Sequence, residues 1–96
     1  MTRFSMGKRF VLTNGIVVMD DRDGDVTVFD SHRGRYWRGN VGAKDILQIL
    51  HNPVTPAEII DIMCERYDTD RDTVSNDVSA TLSQLQAARL VKKVRQ

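Results

Sequence analysis

The sequence predicts an α+β domain in which a three-stranded antiparallel sheet is followed by three helices. Three observations carry that reading. Apolar and β-branched residues dominate the stretch up to Arg38, at the spacing of strands. After Asn40 the apolar spacing changes to that of amphipathic helices. The boundaries between these stretches fall on turn and capping residues rather than at random. A chain of 96 residues suits a single core. Residues 1–96 are therefore read as one domain, with residues 1–8 flexible.

Arg9-Phe-Val-Leu-Thr13 and Gly15-Ile-Val-Val-Met19 open the chain as strands. Asp23-Gly24 is a strong hairpin signal, because both residue types tolerate the positive φ of tight turns. Asp25 to Asp30 forms the next strand, Ser31-His-Arg-Gly34 the next turn, and Arg35-Tyr-Trp-Arg38 a short last strand. The result is an antiparallel meander whose final strand has an open edge.

In the first helix Ala43, Ile46, Leu47 and Leu50 share one face, Asn40 is the N-cap, and the helix ends near Asn52, before Pro53. Thr55 and Glu58 match a capping box, and Pro56 occupies the first helical position of the second helix. Its apolar stripe is read as Ile59, Ile62, Met63 and Tyr67. Asp70 or Asp72 caps the third helix, with a stripe at Val74, Val78, Leu82 and Leu85. Leu90 to Val94 follows as a short strand or ordered tail. Two helices joined by a short turn at Asp68-Thr-Asp70 read as a helix-turn-helix, and the sheet beside them makes it a winged one.

Composition excludes several functions. Lys and Arg number 14 and Asp and Glu 13, for a formal charge of +1, so the chain lacks the basic excess of a protein built to neutralise phosphate. The third helix has no Lys or Arg from Asp72 to Ala88 and carries Asp72 and Asp77, which repel phosphate. Nucleic acid and membranes are not expected partners. One cysteine, Cys64, forms no internal disulfide, and the basic N-terminus lacks the apolar stretch of a signal peptide. These features predict a cytoplasmic protein.

No catalytic constellation emerges. Cys64 sits mid-helix among apolar residues, and neither His32 nor His51 is placed by sequence near it, so the expectation is no enzyme. The acidic run from Asp20 to Asp25 fails as a calcium loop. With Gly24 at the sixth position, Met19 would have to be the first oxygen ligand. No cofactor and no metal are expected.

The run Phe29-Asp-Ser-His-Arg-Gly-Arg-Tyr-Trp37, followed by Asn40 and a helix, resembles the D-x-x-x-G-R-Y-hydrophobic segment of PqqD-like proteins. The second half is similar too, with Thr55-Pro-Ala-Glu-Ile59, Tyr67, Asp77-Val78, Leu82, Leu85 and Leu90-Val91. The match runs from about Val11 to Val94. Among relatives, the Gly-Arg-Tyr-Trp run most resembles the free-standing leader-binding subunit of lasso-peptide biosynthesis.

This resemblance implies a RiPP recognition element: a domain that binds the leader segment of a ribosomally synthesised precursor peptide as an added strand. It implies a separate leader peptidase as partner, and the cyclase as a further one. The edge would be Arg35, Tyr36, Trp37 and Arg38, and the groove wall Val74, Asp77, Val78 and Thr81. Phe29 and Leu85 complete the expected peptide-binding set. The expected state is a monomer, with an edge-strand dimer as the alternative. Two rival functions are a PqqD-type peptide chaperone for a radical-SAM enzyme and, from another class, a DNA-binding winged helix.

Two positions depart from the family pattern. Gly39 stands where Leu is usual, which predicts a bend or bulge at the end of the last strand. Arg89 stands where Gly is common, which leaves the third helix without its usual C-cap glycine.

Bland readings compete for several residues. Tyr36 and Trp37 alternate across a strand, so one faces the core and the other the opposite side. Either could be packing alone. Arg33, Arg35 and Arg38 read first as charges that keep an open edge from aggregating and also as attractors of acidic leader residues, and both accounts can hold together.

Overall fold

The computed structural model describes residues 7–94. The expected flexibility of residues 1–8 falls, for residues 1–6, outside the described residues. The elements are β1 (Phe10–Leu12), β2 (Ile16–Asp20), β3 (Val26–Asp30), β4 (Arg35–Gly39), α1 (Val41–Ile49), α2 (Pro56–Arg66), α3 (Arg71–Ala87) and β5 (Val91–Lys93).

The meander is β2-β3-β4, antiparallel throughout. Its turns are where the chain predicts them: Gly24 and Gly34 both take positive φ, 89° and 65°. The turn between β3 and β4 is held by Asp30, which is 2% exposed. Its carboxylate accepts from the main-chain N–H groups of His32 and Arg33 at 3.0 and 3.2 Å and from the Arg33 guanidinium at 3.3 Å. Burial pushes this carboxyl up, but the N–H donors and the guanidinium outweigh burial and hold it below its ordinary value.

The first strand leaves the meander. Phe10, Val11 and Leu12 pair instead with Lys93, Lys92 and Val91 of β5, which makes a separate two-stranded sheet. On its other side β1 exchanges main-chain bonds with Val54, 2.8 and 3.0 Å between Phe10 and Val54, and Leu12 N–H donates to Leu50 at 3.0 Å. Sequence alone shows two adjacent strands, and neighbours in sequence usually pair. Here the C-terminal strand competes successfully, because Phe10 is then fully buried beneath the helices.

Pleat alternation splits the sheet into two faces. Val26 and Val28, both fully buried, point toward α1 with Trp37 across from Val28. Val17, Met19, Phe29 and Tyr36 lie on the opposite face.

Helix starts match the sequence signals: Asn40 accepts from Ala43 N–H, and Asp70 accepts from Thr73 N–H at 2.7 Å. The Thr55–Glu58 capping box is complete, with bonds of 2.9 and 3.1 Å. The expected faces of α1 and α3 are the buried ones. In α2 the stripe is shifted. Ile60 is buried, at 3% exposed, whereas Ile62 is half-buried and Tyr67 is 39% exposed at the C-cap. The helix is wedged between several elements and so buries a wider arc than one stripe.

Both departures from the family pattern have local solutions. Gly39 pairs one-to-one with Val26 at the end of an unbroken register, so the expected bulge is absent. A Cβ at Gly39 would lie 2.6 Å from the Trp37 ring and 2.7 Å from the Ala43 Cβ. The indole therefore occupies the space a side chain would need. At the end of α3 Arg89 itself takes the left-handed conformation, φ 61°. Arg89 N–H donates to Gln86 at 3.0 Å and Leu90 N–H to Leu85 at 2.9 Å, the double bond of a Schellman cap made without glycine.

Candidate functional site

The site begins with what β4 lacks. One side of this strand pairs with β3, and among the described residues no strand pairs with the other. Its free main-chain donors and acceptors face a groove bounded on the far side by α3. At the β4 end a cleft of about 320 Å³ is lined by Trp37 and Gly39, by Ala43 and Ile46 of α1, and by Thr81 and Gln84 of α3. A second cleft of about 350 Å³ continues along α3 past Val41, Tyr67, Thr73, Val74 and Val78. Gly42, Met63 and Asp77 line both clefts, so the two form one trough.

The α1 and α2 side of that trough is braced. Tyr67 donates its hydroxyl proton to Asp45 of α1, and Arg66 lies 3.8 Å from the same carboxylate. The bond to Asp45, with burial and the carboxylate charge behind it, raises the Tyr67 phenol above its ordinary value. The ring at the end of α2 is thus tied to the helix across from it.

The expected binding residues fall into four places. Trp37, Asp77 and Thr81 line the first cleft, and Val74, Asp77 and Val78 the second. Arg35 is exposed at the hairpin end of the edge strand. Phe29, Tyr36 and Arg38 lie on the outer sheet face, turned from the groove. There the Phe29 and Tyr36 rings stand 4.8 Å apart, and Arg38 bonds Asp21 at 3.0 Å. Leu85 is fully buried in the core and lines neither cleft.

Sequence reasoning missed the contribution of α1 and of Met63. Gly42 in the first turn of a helix was the available signal, since a residue without a side chain there opens the trough between α1 and α3. Among the described residues, no group of three or more His, Cys, Asp or Glu side chains could hold a metal. Cys64 is half-buried, and no described helix is long and apolar enough to cross a membrane.

The family model described as Coenzyme PQQ synthesis protein D (PqqD) matches residues 15–91. The chain belongs to the PqqD family. That match spans the whole meander, all three helices and the start of β5, so it includes both walls of the groove.

Solved structures agree on the fold. TbiB1 in complex with the TbiA(beta) leader peptide superposes with a TM-score of 0.73, at 24% identity over 90% of this chain and 99% of that one. Lasso peptide synthetase B1 complexed with its leader peptide gives 0.71, at 25% identity over 86% and 96%. The PqqD truncation of Methylobacterium extorquens PqqCD, a stand-alone RiPP recognition element, gives 0.78, at 21% identity over 95% and 96%. No curated protein matches the chain.

Proposed function

We propose that this member of the PqqD family binds the leader of a ribosomally synthesised precursor peptide as a fourth strand against β4, in the trough beneath α3. The observation that carries the reading is the open β4 edge lying directly beside a continuous cleft. Unpaired main-chain groups supply affinity without regard to sequence, and the clefts sort side chains at every second position. Similarity to two proteins solved with leader peptides supports it.

In this reading the protein makes and breaks no bond. It is a cytoplasmic single-domain adaptor that raises the local concentration of the precursor at a maturation enzyme. The partner proposed is a separate leader peptidase of a lasso-peptide pathway, followed by the cyclase. Trp37, Val74, Asp77, Val78 and Thr81 contact the peptide. Arg35 flanks it, Tyr36 and Arg38 contribute main chain only, and Leu85 and Phe29 act indirectly by packing.

The test is a titration of the fluorescently labelled leader from the neighbouring precursor gene, read by anisotropy and by emission of Trp37, the sole tryptophan. The expected result is saturable binding with a change in Trp37 emission, both lost with a scrambled leader. A folded protein that ignores the leader would overturn the reading.

A further inference from the structure

The ionisable side chains lining the trough are Asp77, Asp68 and Tyr67, and no cation is among the lining residues. Tyr67 is committed to Asp45. Asp77 projects from the middle of α3, where the two clefts meet, and makes no side-chain hydrogen bond or ion pair with any described residue. Several other carboxylates of the chain are engaged. Asp21, Asp30, Asp45, Asp61 and Glu58 each meet an arginine, and Asp70 caps a helix. The trough therefore carries an unpartnered carboxylate, Asp77, where its two clefts meet, between Trp37, Ile46 and Met63 on one side and Val74 and Val78 on the other. Asp68 is a second acid in the second cleft, and none of the described lining residues is basic.

We infer that Asp77 is a specificity-determining residue that selects a lysine or arginine in the bound peptide. The inference rests on the peptide-binding reading above. The geometry of an added strand narrows it further. Side chains of one strand that point into the same trough are two or four positions apart, about 7 or 14 Å. The basic residue consequently stands an even number of positions from the apolar residue that sits over Trp37, Ile46 and Met63. Neither arginine of β4 is paired with Asp77. Arg38 faces away from the trough and is bonded to Asp21, and Arg35 lies at the hairpin end.

The probe is the labelled precursor leader of the titration above, with versions in which each Lys or Arg is replaced in turn by Gln. These are measured against the wild-type protein, Asp77→Asn and Asp77→Lys. Asp77 is exposed and unpartnered, so both variants keep the wild-type circular dichroism. One basic leader residue is expected to lose about two- to fivefold in affinity on replacement, the size of a solvent-accessible ion pair. The same replacement has no effect in Asp77→Asn. Asp77→Lys is expected to prefer a leader with Glu at that position, and the wild-type preference fades as salt rises. Equal loss in wild type and Asp77→Asn, or indifference to every basic residue while the leader still binds, overturns the assignment of Asp77 alone. Absence of binding by the wild-type protein overturns it together with the peptide-binding reading.

Discussion

The two small sheets of this protein use their edges in opposite ways. Strand β1 is bonded on both sides, to β5 along one edge and to Val54 and Leu50 along the other. Its Phe10 is fully buried. Strand β4 is bonded on one side only, and among the described residues its free edge looks into a trough. Both strands are short, and both carry one large aromatic residue toward the interior. The difference is what surrounds them. A strand enclosed on both sides spends its main-chain groups on stability, whereas an open strand beside a cleft holds the same groups ready for another chain.

Perturbing the closed side should cost the most. Phe10→Ala is expected to destabilise the fold by about 3–5 kcal/mol, the range for truncating a fully buried phenylalanine. A shift in urea midpoint checks it, and a loss below about 1 kcal/mol would mean that β1 is not the anchor described. On the open side, Gly39→Leu forces a side chain into the space of the Trp37 ring. The expected cost is about 1–3 kcal/mol of overpacking, with altered Trp37 emission. Unchanged emission would show that the ring does not depend on Gly39.

Smaller effects sharpen the contrast. Thr55→Ala removes the capping hydroxyl beside Val54 and is expected to cost about 1 kcal/mol. Glu58, the other half of that box, is held below its ordinary value by the Thr55 N–H and hydroxyl and by Arg9. A carboxyl lowered by folding contributes above its unfolded value, and the contribution is lost as pH falls through the lowered one. Stability should therefore decline on acidification, and Glu58→Gln should flatten part of that decline in a series of denaturant melts. Arg89→Gly relieves the left-handed backbone that leads into β5, and a gain of up to about 1 kcal/mol is expected in thermal melts. Tyr36→Ala on the outer face is expected to be smallest, under about 1 kcal/mol, since the side chain is 69% exposed and loses mainly its contact with Phe29.

Much of the fold was readable because it is written locally. Asn40, Thr55, Glu58 and Asp70 each satisfy donors within three residues, so capping needs no knowledge of the rest of the chain. The α1 and α3 stripes were equally readable, since each faces one core. Sequence failed where a choice depended on distant partners. It could not say that β1 would leave the meander for β5, or that Ile60 rather than Ile62 would be buried in α2. In the candidate site the structure places Trp37, Asp77 and Thr81 along the trough, puts Leu85 in the core, and adds residues of α1 that sequence did not single out.

By itself the sequence determined the order of strands and helices, the turns, the caps, and the alternation that sends Trp37 and Tyr36 to opposite faces. Those follow from backbone sterics and periodicity, which act over a few residues. Tertiary structure alone decided which edge stayed open, which face of α3 met it, and that the Trp37 indole would fill the space above Gly39. Those are packing outcomes. They depend on which elements enclose a given surface, and that is set only when the whole chain has closed around Phe10 and the helices.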